Sequence, residues 1–330
     1  MIWKNVELFN VAETENRKDG ALYMYRFPSA AREAFTHSLV SYAAEVGKLT
    51  TGCELRFVGQ NADVFLSAET YEGTVEIYRG DFFCRVERLQ DGVVKKIELR
   101  ENAIDTYPQK DGRFSPNVWR VVFDHDLRVV LHDVQGDVRP PEPYEVPERK
   151  LIAYGSSITH SAGAQLFTNS YIYNVGKRLG VDVLCKGMGG SCHIESEVAD
   201  YLYAENWDFA SLELGINMVE VYPVSVFEER ARKLITTLLK TGKPIVLISN
   251  FTSYHNIPTS AFHKENADYV ACLERLYNEL KCDHLYYIRG QEIVTEWDYL
   301  MTDLLHPSPY GHGEMGKKIA EKIRSEFNFL

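Results

Sequence analysis

From Glu54 to Val134, apolar residues come in short β-branched and aromatic runs with polar residues between them. Leu55, Phe57 and Val58 lead to Val64, Phe65 and Leu66, then to Val75, Ile77 and Tyr78. Phe82, Phe83, Cys84 and Val86 follow, then Val93, Val94, Ile97 and Leu99. Val118 to Phe123 and Val129 to Leu131 complete the series. Gly59-Gln60-Asn61, Glu72-Gly73, Asp91-Gly92 and Asp111-Gly112 separate the runs, and these residue types favour tight turns. Short strands at such spacing predict an antiparallel β-sandwich. In this half, Ala30 to Val46 reads as helical, with Ala34, Phe35 and Leu39 among its apolar positions.

Four of the chain's 12 prolines fall within Arg139 to Pro147. Proline fixes φ and has no amide donor, so this stretch predicts an extended linker. Beyond it the rhythm changes. Continuous apolar runs at Leu151–Tyr154, Val181–Leu184, Phe209–Leu214, Pro244–Ile248 and His284–Ile288 read as buried strands. Between them lie helical patterns. The clearest places Phe227, Ala231, Leu234, Ile235, Leu238 and Leu239 on one face and stops at Gly242-Lys243-Pro244. Others run from about Asn266 to Leu280 and from about Gly311 to Phe327. Strand–helix alternation predicts an α/β unit whose parallel sheet carries helices on both faces. The expected division is 1–139 for the sandwich, 140–149 for the linker and 150–330 for the α/β unit.

Composition narrows the function classes. A length of 330 residues suits about two domains. With 36 basic and 47 acidic residues, the net charge is −11, and no Lys/Arg-rich run stands out, so no nucleic-acid partner is expected. No apolar run reaches the roughly 18–20 residues of a membrane helix, so no membrane partner is expected. The start of the chain, Met1 to Glu7, lacks the basic and apolar regions of a signal peptide. The six cysteines form no CxxC pair, which reads as reduced thiols and a cytoplasmic location.

Reactive groups of open α/β sheets collect at the carboxyl ends of the strands. The first end carries Gly155-Ser156-Ser157-Ile158-Thr159-His160, and the second Gly187-Met188-Gly189-Gly190-Ser191. The third carries Gly215-Ile216-Asn217, and Asp303-Leu304-Leu305-His306 stands near the chain's end. A serine at a strand-to-helix turn, near a helix N-terminus, meets amides able to bind an oxyanion. Its hydroxyl needs an adjacent base. Asp303 can hold one nitrogen of His306 while the other faces a serine. Gly190 leaves its amide unshielded, and Asn217 can donate from its side chain. Gly-Ser-Ser, Gly-Gly and Asp-x-x-His each occur widely as plain turns. The weight lies in finding all four in one order in one α/β half.

These blocks resemble those of the SGNH hydrolases, the GDSL esterase/lipase family. Gly155-Ser156-Ser157 resembles the family's Gly-Asp-Ser, with Ser157 at the nucleophile position. Gly190 matches the oxyanion glycine, Gly215-Ile216-Asn217-Met218 the Gly-x-Asn-Asp block, and Asp303 to His306 the Asp-x-x-His block. Ser156 and Met218 depart from the usual aspartates, but the triad and oxyanion positions are intact. The resemblance covers roughly 150–330. It implies a flavodoxin-like three-layer α/β/α fold. It also implies a Ser157–His306–Asp303 triad, an acyl-enzyme, and an oxyanion hole of the Ser157 and Gly190 amides with the Asn217 side chain. No metal or organic cofactor is implied. A β-rich module ahead of such a domain resembles two-domain carbohydrate esterases, which implies a jelly-roll-like sandwich beside the cleft. The expected activity is hydrolysis of a small soluble ester, an O-acetylated carbohydrate first. The alternatives are an acyltransferase with the same triad, or a carbohydrate-binding protein with an inactive hydrolase domain.

Other residues carry open readings. His193, Met218 and Tyr254 are candidates for a substrate pocket, as are Trp207, Tyr222 and His160; the alternative reading of each is an ordinary core, surface or loop residue. His306 and His312 lack a third nearby metal ligand, so no metal is expected. Trp119, Tyr78 and Tyr107 form either a sugar-stacking platform or sandwich core. Exposed strand edges of the sandwich offer a route to a homo-oligomer.

Overall fold

The computed structural model describes residues 1–100 and 112–327. The first half holds β1 (Ile2–Trp3), β2 (Val6–Phe9), β3 (Glu13–Asn16), β4 (Leu22–Tyr25), β5 (Glu54–Val58), β6 (Ala62–Ala68), β7 (Gly73–Arg79), β8 (Phe82–Leu89), β9 (Lys95–Leu99), β10 (Val118–Phe123) and β11 (Val129–Gln135). They form two antiparallel sheets, ordered β1-β2-β5-β10-β7-β8 and β3-β4-β11-β6-β9. Leu55 and Phe57, Val64 and Leu66, Val75 and Ile77, and Trp119, Val121 and Phe123 fill the core between them. The expected sandwich is present.

Strand alternation puts every second residue of β5, β7 and β10 on the other face of the six-stranded sheet. These are Glu54, Arg56, Glu76, Tyr78, Arg120 and Val122. In an isolated sandwich this polar face would meet water. Here Glu54, Arg56, Glu76 and Arg120 are all buried, because the face packs against the α/β unit. Arg56 forms a bidentate pair with Asp182 at 2.5 and 2.8 Å. Glu54 accepts from Arg56 at 2.8 Å and from Arg120 at 2.6 and 2.8 Å. Burial pushes the Glu54 carboxyl up, but the two guanidinium groups outweigh it and hold it at about 2. The Tyr78 hydroxyl lies 2.9 Å from Thr168 Oγ1.

The second half contains β12 (Lys150–Gly155), β13 (Asp182–Gly187), β14 (Phe209–Glu213), β15 (Ile245–Ile248) and β16 (Leu285–Ile288). They pair in parallel in the order β13-β12-β14-β15-β16. Helices α1 (Ser29–Phe35) and α2 (Ala43–Val46) belong to the first half. Helices α3 (Tyr171–Leu179), α4 (Ser196–Ala204), α5 (Val224–Leu239), α6 (His263–Leu280), α7 (Gly290–Ile293) and α8 (Pro309–Glu326) belong to the second. Leu234, Leu238, Leu273 and Leu276 pack one face of the sheet. Ile172, Val175, Met315, Ile319 and Ile323 pack the other. The three-layer α/β/α arrangement is as expected. No helix among the described residues is long and apolar enough to cross a membrane.

The structure corrects three local expectations. Ala30 to Val46 is not one helix; α1 ends at Phe35 and α2 begins at Ala43. The segment between is drawn toward the α/β unit, where Ser38 Oγ sits 3.0 Å from His193 Nδ1. The proline-rich stretch is not simply extended. Pro143–Glu145 forms a single 3-10 turn, clamped by a bidentate Arg139–Glu145 pair at 2.7 and 2.9 Å. Finally, Ser157 does not lead straight into a helix. A run of turns follows it, with Ser161, Gly163 and Gln165 at positive φ, and α3 starts only at Tyr171.

Candidate active site

The sheet order places β12 between β13 and β14, so the chain crosses from β12 to β13 at one edge and then back past β12 to β14. A crevice opens outside the carboxyl ends of the strands at such a switch point. The loops after β12, β13 and β14 carry the three glycine-containing blocks. Within Gly155–His160, Ser157 alone is not buried. Within Lys186–Ile194 only Gly189 and Gly190 are open, and within Leu212–Val219 only Asn217. The positions singled out by chemistry are those the fold leaves accessible.

Ser157 Oγ lies 2.8 Å from His306 Nε2, and His306 Nδ1 lies 2.7 Å from Asp303 Oδ2. The other carboxylate oxygen of Asp303 accepts from the Leu305 and His306 amides at 2.9 and 3.0 Å. Asp303 therefore fixes both the loop and the ring. The loop closes further where the Met301 amide donates to His306 O at 2.8 Å. Ser308 then caps α8 through the Gly311 amide. Partial burial pushes the Asp303 carboxyl up, but the hydrogen bonds from His306 and the two amides outweigh it and hold it below its ordinary range. With Nδ1–H turned to Asp303, Nε2 keeps a lone pair for the Ser157 hydroxyl proton.

The second and third blocks are tied together, since the Cys192 amide donates to Asn217 Oδ1 at 3.2 Å. That bond uses the acceptor end of the Asn217 amide and leaves its Nδ2 hydrogens for a ligand. Gly190 sits at φ +64°, which favours glycine, and a side chain there would also collide with the Tyr42 hydroxyl. Tyr42, from the first half, thus lies over the second block with its ring half exposed.

Other expected pocket residues lie elsewhere. His193 is buried between Ser38 and the Tyr222 ring, and burial with the Arg230 charge pushes it down to about 4. Met218 and Trp207 are wholly inside the core. Tyr254 is half-buried, donates its hydroxyl to Glu220 at 2.5 Å, and supports the Asp303 loop through its amide bond to Leu304 O at 2.7 Å. His312 is buried, with Nδ1 accepting from the Tyr171 amide at 3.0 Å and Nε2 donating to Ala162 O at 2.9 Å. Both nitrogens are used, so it is no metal partner for His306. Trp119 lies in the sandwich core and Tyr78 in the contact between the halves, so they form no platform; Tyr107 lies outside the described residues.

Sequence reasoning missed Arg26. Its guanidinium is fully buried and donates to Leu49 O at 2.8 Å and Gly187 O at 2.9 Å, with Nη2 3.2 Å from His160 Nε2. One side chain of the first half therefore joins the second block to the residue that ends the first. A lone charge inside the apolar run Tyr25-Arg26-Phe27 was the available signal. Among the described residues, His125, Asp126 and His160 offer ligand atoms within 4.8 Å of one another. Arg26 makes that cluster a poor cation site. Its N–H takes the single lone pair of neutral His160, so the other ring nitrogen carries the proton.

A family model described as GDSL-like lipase/acylhydrolase matches residues 148–324. No curated protein matches the chain in sequence at a significant level. Solved structures share the fold over nearly the whole length. A salicylyl-acyltransferase, SsfX3, from a tetracycline biosynthetic pathway is 14% identical, with TM-score 0.77 over 98% of this chain and 96% of its own. A putative GDSL-like lipase from Bacteroides ovatus is 17% identical, with TM-score 0.70 over 97% and 95%. A family two carbohydrate esterase from Cellvibrio japonicus is 14% identical, with TM-score 0.66 over 99% and 96%. With its two-module fold and its match over more than half the sequence, the chain belongs to the GDSL-like lipase/acylhydrolase family and is an SGNH-type esterase.

Proposed function

We propose that this enzyme removes a short acyl group, acetyl first, from a carbohydrate ester through a Ser157 acyl-enzyme. The observation that carries the reading is the continuous relay Ser157–His306–Asp303, with links of 2.8 and 2.7 Å. His306 takes the Ser157 proton as Oγ attacks the ester carbonyl, and Asp303 orients the ring and stabilises its charged form. The Ser157 and Gly190 amides and Asn217 Nδ2 bind the developing oxyanion. His306 then returns the proton to the departing alcohol, and water attacks the acyl-enzyme by the reverse sequence. Carbohydrate as the alcohol draws support from the carbohydrate esterases among the structural neighbours.

The test is a chain-length series of p-nitrophenyl esters alongside an acetylated sugar. Rates highest at acetyl, with acetate released from the sugar, support the reading. Rates that climb toward octanoyl exclude it. The same relay serves transfer to an alcohol, as in the acyltransferase among the neighbours. Ester products formed in the presence of candidate alcohols would convert the proposal from hydrolysis to transfer.

A further inference from the structure

Glu213 ends β14 as the one charged residue of a wholly buried strand. A buried carboxylate costs several kcal/mol unless something compensates it, so its partners matter. All of them lie on one loop. Oε2 accepts from the Ser156 amide at 2.7 Å, from the Ser156 hydroxyl at 2.7 Å and from Thr159 Oγ1 at 3.1 Å. Ser156 Oγ in turn accepts from the Ile158 amide at 3.2 Å. The residues on both sides of Ser157 therefore hang from one carboxylate. Gly155 makes room for it, since a side chain there would collide with the carboxylate and with Thr159. Glu213 forms no ion pair among the described residues, and Oε1 is buried without a hydrogen-bond partner. Ser156 is also the residue that departs from the family's usual aspartate, so the carboxylate of this loop comes from the neighbouring strand.

We propose that Glu213 is a positioning residue whose carboxylate clamps the nucleophile loop, fixing the Ser157 hydroxyl toward His306 and the Ser157 amide toward the oxyanion. The inference rests on the reading of Ser157 as nucleophile. Burial pushes the carboxyl up to about 7, although the bonds from Ser156 and Thr159 oppose this. The other titratable groups that face it are the Tyr171 hydroxyl, reached through Thr159, and the Cys192 thiol; burial drives both well above their ordinary values. They stay neutral in the working range, so Glu213 is the group there that changes charge. Protonation would take the negative charge from the carboxyl and weaken its hold on the three donors aimed at Oε2.

The experiment compares wild type, Glu213→Gln, Ser156→Ala and Ser157→Ala by kcat, KM and the pH dependence of log kcat, with circular dichroism for the fold. A small displacement of a reacting group costs about 10²-fold in rate. Glu213→Gln should lose about that much in kcat with KM little changed. Wild type should need Glu213 deprotonated on the acid limb, which makes its limb steeper than that of a variant without the carboxyl. Glu213→Gln should lose that deprotonation and show a shallower limb than wild type. Ser156→Ala keeps the carboxylate but removes a donor, so its limb should move to higher pH; this variant decides the matter if Glu213→Gln does not fold. Unchanged kcat and slope in Glu213→Gln, or an unmoved limb in Ser156→Ala, overturns the role. Full activity in Ser157→Ala would instead overturn the underlying reading.

Discussion

Replacing Asp182 with alanine tests whether the two halves form one unit. Asp182 opens β13 and meets Arg56 of the sandwich in a bidentate pair, with both side chains at most 4% exposed. The local cluster holds Arg56 and Arg120 against Glu54 and Asp182, so it balances. Removing Asp182 leaves two guanidinium groups sharing one carboxylate away from water. Breaking a buried pair from one side costs about 3–5 kcal/mol. Unfolding entropy is ~2.1 cal/mol/K per residue, so for 330 residues this corresponds to a Tm fall of roughly 4–7 °C if the chain melts as one. The assay is urea and thermal unfolding followed by far-UV circular dichroism and by tryptophan fluorescence. The sandwich core holds Trp119 and the α/β core holds Trp207, so both halves are reported. Arg56→Met with Asp182→Leu should recover most of the loss, because a well-packed apolar pair often replaces a buried ion pair at little cost. A single variant within about 1 kcal/mol of wild type, or two separate transitions in wild type, would refute the reasoning.

Further outcomes follow from the site. Asp303→Asn should lower kcat by about 10³–10⁴-fold through the wrong imidazole tautomer, while circular dichroism shows an unchanged fold, since the side chain is 46% exposed. A loss under tenfold would contradict the triad. Gly190→Ala should cost about 10²–10³-fold in kcat by displacing an oxyanion donor; unchanged kinetics would remove Gly190 from that role. Tyr42→Ala should raise the ratio of butyrate to acetate ester turnover, because it opens the cleft over Gly190, and an unchanged ratio would deny Tyr42 a place in the wall. His312 is held neutral, pushed by burial down to about 4. Its ordinary value is about 6.5, so the unfolded chain binds more protons between those values, and stability is lost as pH falls from 6.5 toward 4. The contribution is on the order of 3 kcal/mol. His312→Leu should therefore lose less stability than wild type between pH 7 and pH 4.5, and parallel urea midpoints would contradict this.

Much of this was legible because each half has its own period. Alternation over Glu54–Val134 marked the sandwich, and the buried apolar runs after Lys150 marked the parallel strands. Ser157, Gly190, Asn217, Asp303 and His306 were found because they stand at strand ends and loops where the topology opens a crevice. What stayed hidden depends on contacts between the halves. Alternation assigns Arg56 and Arg120 to a solvent face, and nothing local says that a second domain covers it. Helical periodicity from Ala30 to Val46 could not show that Ser38 and Tyr42 are pulled out to meet His193 and Gly190. His193 and Met218 follow the blocks closely in sequence, but burial takes them out of the cleft. Glu213 and Arg26 were visible only as charges inside apolar runs, and their partners lie on other segments.

The most direct test is p-nitrophenyl acetate hydrolysis by wild type and Ser157→Ala, side by side, with circular dichroism to confirm equal folding. The relay predicts turnover by wild type and its loss, by at least about 10³-fold, in the variant. Equal rates from two folded proteins would contradict Ser157 as the nucleophile.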